Sequence, residues 1–291
     1  MKLFKSIILL TLVIIMISCS EKKTIGVQGH RGCRGLLPEN TLPAFAKAIE
    51  LGVQTLELDL AISKDKKVVV SHEPFMSRFY CLKPNGDKIT ISQDKVFNFY
   101  QMTYDSIKQF DCGSMQHPRF PEQKNTNAFK PLLQDVFIKS DSLNPDIKYN
   151  IEIKASPEYD NVYTPAPKEY VALVLQVIQD NGVFDRCNLQ SFDVRILEEI
   201  KKQAPTMKQA LLVDENESID EKLASLSFKP EIISPYFELL DKTSVKHYQD
   251  LGFQVIPWTV NEISDMQTMI NYKVNSIITD YPDRLLGLLS E

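Results

Sequence analysis

Nine short apolar runs rich in β-branched residues recur along the chain, and their spacing constrains the fold more than any other feature. They are IGVQGH from position 25, TLELDL from 55, VVVSH from 68, YNIEIK from 149, NLQSF from 188, QALLV from 209, EIISPYF from 231, QVIPWTV from 254 and SIITD from 276. Helical patterns lie between most of them, at 41–51, 132–141, 169–181, 194–203, 240–251, 264–272 and 282–289. Strand and helix in alternation imply a parallel sheet wrapped by helices. One connection breaks the rule. Leu60 and Val68 are separated by about seven residues, whereas a parallel crossover needs about a dozen or more. VVVSH must therefore fold back antiparallel on TLELDL through residues 63–66. A turn centred near Asp65 then places His72 beside Leu58, between Glu57 and Asp59. Setting that arm aside leaves eight parallel strands, an α/β fold of the (β/α)8 TIM-barrel type.

The stretch 73–130 has few long periodic runs and carries Pro, Gly, Asn and Gln clusters with scattered aromatics. It is expected to form a small insertion after the second-strand hairpin, lying over one end of the barrel. Ahead of the first strand, Lys2 and Lys5 precede an apolar run from Ile7 to Ile17 and then Ser18, Cys19 and Ser20. That order describes an export signal, and the run is shorter than the roughly 20 residues needed to span a bilayer. Residues 1–18 are expected to be a signal peptide. Cys19 then becomes the lipidated first residue of an exported, periplasmic or outer-surface lipoprotein, held to the membrane by its N-terminal anchor. The remaining residues, 19–291, suit one barrel domain, since such barrels run to about 250 residues.

The net charge of −5 becomes −7 once Lys2 and Lys5 are removed, and no Lys/Arg-rich run stands out. Nucleic acid is thereby excluded as a partner. Four cysteines follow Cys19, at spacings that match no zinc pattern. Cys81 and Cys112 lie in one irregular stretch and are candidates to pair, while Cys33 and Cys187 suit small buried positions.

Strands covered on both faces normally read as continuous apolar runs. TLELDL instead carries Glu57 and Asp59 two residues apart, on one face of the strand, and YNIEIK carries Glu152 with Lys154 in the same relation. Three carboxylates inside a barrel mouth are costly unless a cation or buried hydrogen bonds compensate. An all-oxygen set suits one divalent cation of the hard type, Ca²⁺ or Mg²⁺. His30 ends the first strand and His72 ends the hairpin arm, where the active sites of such barrels lie. His117 and His247 have no such placement and are read as structural. Glu39 is a candidate to orient substrate or His30, and Trp258, the one tryptophan, is a candidate to pack on the substrate from a strand end.

GHRG at 29–32, PENT at 38–41, ELD at 57–59, VVVSHE at 68–73, IEIK at 151–154, SF at 191–192, WTVN at 258–261 and TDYP at 279–282 together resemble the ordered motifs of the glycerophosphodiester phosphodiesterases. The resemblance runs from about Ile25 to Arg284 and thins across 93–130. It implies a divalent metal at Glu57, Asp59 and Glu152, phosphate contacts from Arg31 and Lys154, and proton exchange by His30 and His72. It further implies a small-molecule glycerophosphodiester substrate, cleaved to sn-glycerol 3-phosphate and an alcohol. Because glycerol bonded through O3 has a neighbouring 2-hydroxyl that can attack phosphorus once an imidazole removes its proton, the cleavage is expected to pass through a cyclic phosphate. His30 is assigned as base and His72 as acid. One position departs from the pattern, because the family usually carries Asp after the second histidine and Glu73 stands here. Two other readings compete: a related barrel phospholipase of C or D type acting on intact phospholipid, and a non-catalytic lipoprotein that captures phosphodiesters.

Overall fold

The computed structural model describes residues 25–290, so the export segment 1–18 and the lipidation site Cys19 lie outside the described residues. Among the described residues there are nine strands: β1 (Gly26–Gly29), β2 (Thr55–Ile62), β3 (Val68–Val70), β4 (Lys148–Ile153), β5 (Cys187–Ser191), β6 (Lys208–Val213), β7 (Ile232–Pro235), β8 (Gln254–Val255) and β9 (Ser276–Thr279). Eight run parallel in the order β8-β7-β6-β5-β4-β2-β1-β9, and β3 pairs antiparallel with β2. The end strands are joined as well. Asn275 N donates to Val255 O at 2.9 Å, Ile278 N to Pro257 O at 3.0 Å and Val260 N to Ile278 O at 3.0 Å. The parallel set thus closes into the expected barrel.

The hairpin has the register that a turn at Asp65 demands. Leu60 stands opposite Val70 and Ile62 opposite Val68, and Ser71 N donates to Asp59 O at 2.9 Å. His72 is thereby carried to the level of the acidic residues of β2.

Alternation along each strand separates two cores. Leu56, Leu58, Leu60, Ile151 and Ile153 turn outward into one large cluster with the surrounding helices, where each fully buried aliphatic side chain contributes about 1.5–3 kcal/mol. The helix Leu42–Leu51 shows how local sequence sets this layer. Thr41 caps it by accepting from Ala44 N, Pro43 lies in its first turn, and Gly52 ends it at φ 99°. Ala44, Phe45 and Ala48 form its buried face. Between β6 and β7 the connection contains Ile219–Ala224, a six-residue helix capped by Ser218. No periodicity marks it in the sequence, because so short a helix completes fewer than two turns.

The segment between β3 and the helix Leu133–Leu143 has its own small core, in which Met76, Tyr80, Ile89, Phe99, Ile107 and Phe110 pack on Ala61 and Val69 of the hairpin. Cys81 and Cys112 form a disulfide within it, with Cα atoms 4.0 Å apart, and Cys33 and Cys187 are free and buried. The bond spans 31 residues, and in the loop-entropy model closing such a loop stabilises by about 3–4 kcal/mol. The double variant Cys81→Ala/Cys112→Ala should therefore exchange amide hydrogens faster across 73–130 while the barrel strands keep their protection. Unchanged exchange in that segment would show that the disulfide contributes nothing measurable.

Candidate active site

The first strand ends in a turn that delivers two functional side chains in succession. Gly32 N donates to Gly29 O at 3.1 Å, and Arg31 N donates to Glu57 Oε2 at 3.0 Å. Arg31 is held at φ 51°, in the left-handed region that bulky residues rarely adopt. Gly32 follows at φ 90°, and a Cβ there would stand 2.7 Å from the backbone of Ala44. The turn and the helix Leu42–Leu51 are packed against each other so closely that only glycine fits between them.

Glu57, Asp59 and Glu152 meet at the carboxyl ends of β2 and β4, where Asp59 and Glu152 are register partners. Each offers one ligand oxygen within 4.8 Å of the other two. All three are buried, and Asp59 Oδ1 has no hydrogen-bond partner. Burial and the neighbouring Asp59 and Glu152 charges raise Glu57 well above the usual carboxylate range. Burial lifts Glu152 to about 7 in spite of Lys154. Asp59 goes the other way, since Arg31, His72 and Lys154 outweigh its burial and keep it ionised. Arg31 Nε lies 3.1 Å from Asp59 Oδ2, and Lys154 Nζ lies 2.8 Å from Glu152 Oε1 and 3.8 Å from Asp59 Oδ1. An all-oxygen cluster with one oxygen unpartnered and two acids drawn towards protonation fits a hard divalent cation.

The two histidines are held in the same way. His30 Nδ1 is 2.7 Å from Asp280 Oδ1 and its Nε2 is 3.9 Å from Glu57 Oε2. Asp280 also accepts from Arg34 through two bonds of 2.9 and 3.0 Å, and from Asn261 Nδ2 at 2.8 Å. Burial would raise Asp280, but the Arg34 charge and the hydrogen bonds from His30 and Arg34 overcome it and keep the carboxylate ionised. The imidazole of His30 is brought down to about 4 by burial, against the pull of Asp280. An ionised Asp280 accepts the hydrogen bond from Nδ1–H, so neutral His30 presents an unprotonated Nε2. His72 Nδ1 is 3.0 Å from Glu73 Oε1, and its pKa is lowered by burial and by Arg31 and Lys154.

His30, Arg31, Glu57, His72, Glu152, Lys154 and Trp258 all line one cavity of about 380 Å³. Trp258 stands across it from the acids, its Nε1 donating to Ser234 O at 2.8 Å and its ring edge-on to Phe192. Glu39 does not line that cavity. It binds Arg31 Nη1 at 2.8 Å and lies 3.7 Å from Arg34, and these cations, outweighing its burial, hold it at about 2. Its reach to His30 is therefore indirect, through the arginines. His247 is exposed on an outer helix and does not line that cavity. His117 is different: it is buried, 3.8 Å from Glu39 Oε2 and stacked on Tyr80.

Sequence reasoning assigned no role to Asp280, Arg34, Asn40, Asn261, Gln190 or Tyr80. Asp280 and Asn261 lie in quoted motifs, TDYP and WTVN, and a charged or amide residue just past the end of a buried strand was the available signal. Asn40 donates to Asp59 Oδ2 at 2.8 Å from the PENT segment, and Gln190 donates to Glu57 Oε1 at 2.9 Å from β5. Nothing in their local sequence announces those partners.

Comparison with known proteins agrees with this geometry. The model described as "Glycerophosphoryl diester phosphodiesterase family" matches residues 30–284. A glycerophosphodiester phosphodiesterase from Caldanaerobacter subterraneus subsp. tengcongensis is 30% identical over 264 residues, covering 90% of this chain and 97% of its own. The crystal structure of a putative glycerophosphoryl diester phosphodiesterase from Silicibacter pomeroyi superposes with a TM-score of 0.83 at 29% identity, covering 92% of this chain and 93% of that one. A phosphodiesterase from Oleispira antarctica, solved with its product sn-glycerol-3-phosphate, has a TM-score of 0.73 at 21% identity, covering 92% and 98%, and shares the fold. The matched family and its relatives define a phosphodiester hydrolase. The chain belongs to the glycerophosphoryl diester phosphodiesterase family, and it is an enzyme.

Arg34 is buried, and Asp280 is its principal partner, with Glu39 further away. Removing one member of a buried ion pair costs about 3–5 kcal/mol. Asp280→Ala should therefore lower the thermal midpoint by something on the order of 10 °C. A midpoint within a degree or two of the wild type would mean that the Arg34–Asp280 pair is not formed.

Proposed function

We propose that the enzyme hydrolyses glycerophosphodiesters to sn-glycerol 3-phosphate and an alcohol, using one bound Ca²⁺ or Mg²⁺ and the two imidazoles His30 and His72. The observation that carries this reading is the arrangement of both rings. Each is fixed through Nδ1 by a carboxylate, and each lines the cavity that also contains Glu57, Glu152, Arg31 and Lys154.

The residues suggest the following sequence. Arg31 and Lys154 bind the phosphate, and Trp258 packs on the glycerol side. His30, with Nε2 unprotonated, removes the proton from the 2-hydroxyl of glycerol. The resulting oxygen attacks phosphorus, the bond to the alcohol breaks, and His72, entering the step protonated on both nitrogens, gives its Nε2 proton to the departing oxygen. A cyclic phosphate results. His72 then takes a proton from water, the water oxygen attacks phosphorus, the bond to the 2-oxygen breaks, and His30 returns its proton there. Water is the only other reactant consumed. The cation, held by Glu57, Asp59 and Glu152, supplies positive charge that offsets the phosphoryl oxygens. The product named for the Oleispira antarctica phosphodiesterase, sn-glycerol-3-phosphate, supports the same product here.

For the N-terminus we keep the reading of an exported lipoprotein with signal peptide 1–18, and the Cys81–Cys112 disulfide supports an oxidising compartment. Protein from the native host should begin at an acylated Cys19. A chain that still begins at Met1, or a Cys19→Ser variant that remains membrane-bound, would contradict it.

The catalytic reading is tested by following release of sn-glycerol 3-phosphate from several glycerophosphodiesters with Ca²⁺, Mg²⁺ or chelator. His30→Ala and His72→Ala should each lower kcat by about two to four orders of magnitude. Glu57→Gln and Glu152→Gln should recover part of their activity when excess cation is supplied. Wild-type rates for either histidine variant, or indifference to chelation, would overturn the mechanism. Cleavage of intact phospholipid but not of glycerophosphodiesters would favour the phospholipase reading, and binding without turnover the capture protein.

A further inference from the structure

Glu73 follows His72 directly in the chain, and a side chain bonded to its own neighbour has little purchase unless a third group fixes it. That group is Tyr80. Its hydroxyl donates to Glu73 Oε2 while Glu73 Oε1 faces His72 Nδ1 at 3.0 Å. Glu39 Oε1 lies farther from the same hydroxyl, at 3.4 Å, so the single phenolic proton goes to Glu73.

Tyr80 is itself rigidly placed. Its ring is buried, stacked on His117 with centroids 5.3 Å apart, and covered by Lys130 Nζ at 4.9 Å. Lys130 is 1% exposed and its ammonium has no hydrogen-bond partner, so the phenyl face and the nearby acids Glu39 and Glu73 are what offset its charge. The next residue, Cys81, is joined to Cys112, and Leu82 exchanges backbone hydrogen bonds with Asp111 at 2.7 and 3.2 Å.

We propose that Tyr80 is a positioning residue for the reaction, acting through Glu73 to hold the Nδ1–H of His72 so that its Nε2 faces the substrate, as donor while the ring is protonated and as acceptor once that proton is given up. The proposal rests on the acid–base role given to His72 above. Glu73 and Tyr80 form a matched pair. The extra methylene that separates Glu73 from the family's usual Asp lets one carboxylate reach both the imidazole and a phenol supplied by the insertion. The insertion therefore does for His72 what Arg34 and Asn261 do for His30 through Asp280.

The test uses Tyr80→Phe, which removes one oxygen, together with Glu73→Asp and the double variant, all in the full-length chain. Each single change should lower kcat about 10- to 100-fold, the usual range for a group that orients a functional ligand, with KM altered less than about twofold, because the substrate contacts are untouched. The double variant should be within about threefold of the worse single, since both changes break one coupled unit. In ¹⁵N spectra, the neutral form of His72 should be mainly the Nδ1–H tautomer in the wild type and mixed in Tyr80→Phe. Wild-type kcat and an unchanged tautomer in Tyr80→Phe would overturn the proposal, and so would single effects that multiply in the double variant. If the wild type released no sn-glycerol 3-phosphate, the functional reading would fail while the tautomer measurement still decided the role of Tyr80.

Discussion

Three carboxylates buried at one end of a barrel are the constraint to which the rest of the structure answers. Glu57, Asp59 and Glu152 are drawn from adjacent strands into a space where isolated ionised groups would be strongly disfavoured. Arg31 and Lys154 compensate only part of this charge, and Arg31 must occupy an unfavourable backbone conformation to do so. The closeness of Gly32 to Ala44 is what makes that conformation hold. A requirement that originates in the charge of β2 and β4 thus fixes the geometry of a turn on β1 and the small residues of the helix behind it.

The same charge logic reaches the histidines by two routes. His30 is served by Asp280, 250 positions away in sequence but adjacent in space because β9 lies beside β1 in the closed barrel. Arg34 then balances Asp280 and approaches Glu39, which binds Arg31, so the support of one ring returns to the acid cluster through alternating charges. His72 has no barrel strand of its own. It hangs on the hairpin arm, and the segment packed over that arm supplies Tyr80 and Lys130 behind Glu73. One ring is anchored by the barrel and the other by the segment packed over the hairpin.

The barrel and its hairpin were legible because they rest on local counts: period-two alternation, helical periodicity, and a connection of seven residues that no parallel crossover can use. The Glu57–Asp59 and Glu152–Lys154 pairs were legible for the same reason, as charges where a doubly covered strand should be apolar. What stayed hidden was every pairing made by closure. Asp280 with His30, Gln190 with Glu57, and Asn40 with Asp59 join residues from different units, and their partners depend on which strands become neighbours. Tyr80 was hidden for a further reason, since it lies in an aperiodic stretch where no strand direction says which way a side chain points. Glu39 was readable as an acid in a motif, but its action on the arginines rather than on His30 follows from the three-dimensional turn alone.

The interior of the barrel is divided in a way that the acid cluster makes necessary. On the side of β1, β2, β4 and β5 the inward positions are polar, and Asn188, Asn150 and Gln28 form a chain of amide hydrogen bonds beneath the acids. On the side of β6 to β9 they include Ala210, Ile232, Ile256 and Ile278, packed against Trp258, with Ser234 bonded to the Ile256 carbonyl. Amides can satisfy buried carboxylates and one another, whereas aliphatic residues satisfy neither, so polar groups scattered evenly round the barrel would leave donors unpaired on every strand. Segregating them gathers most of the charge on one wall of the cavity and leaves an apolar stretch of Leu212, Trp258 and Ile278 on the other, with Asp214 at the end of β6. A ligand with an anionic phosphate at one end and a carbon skeleton at the other can match both walls in one orientation.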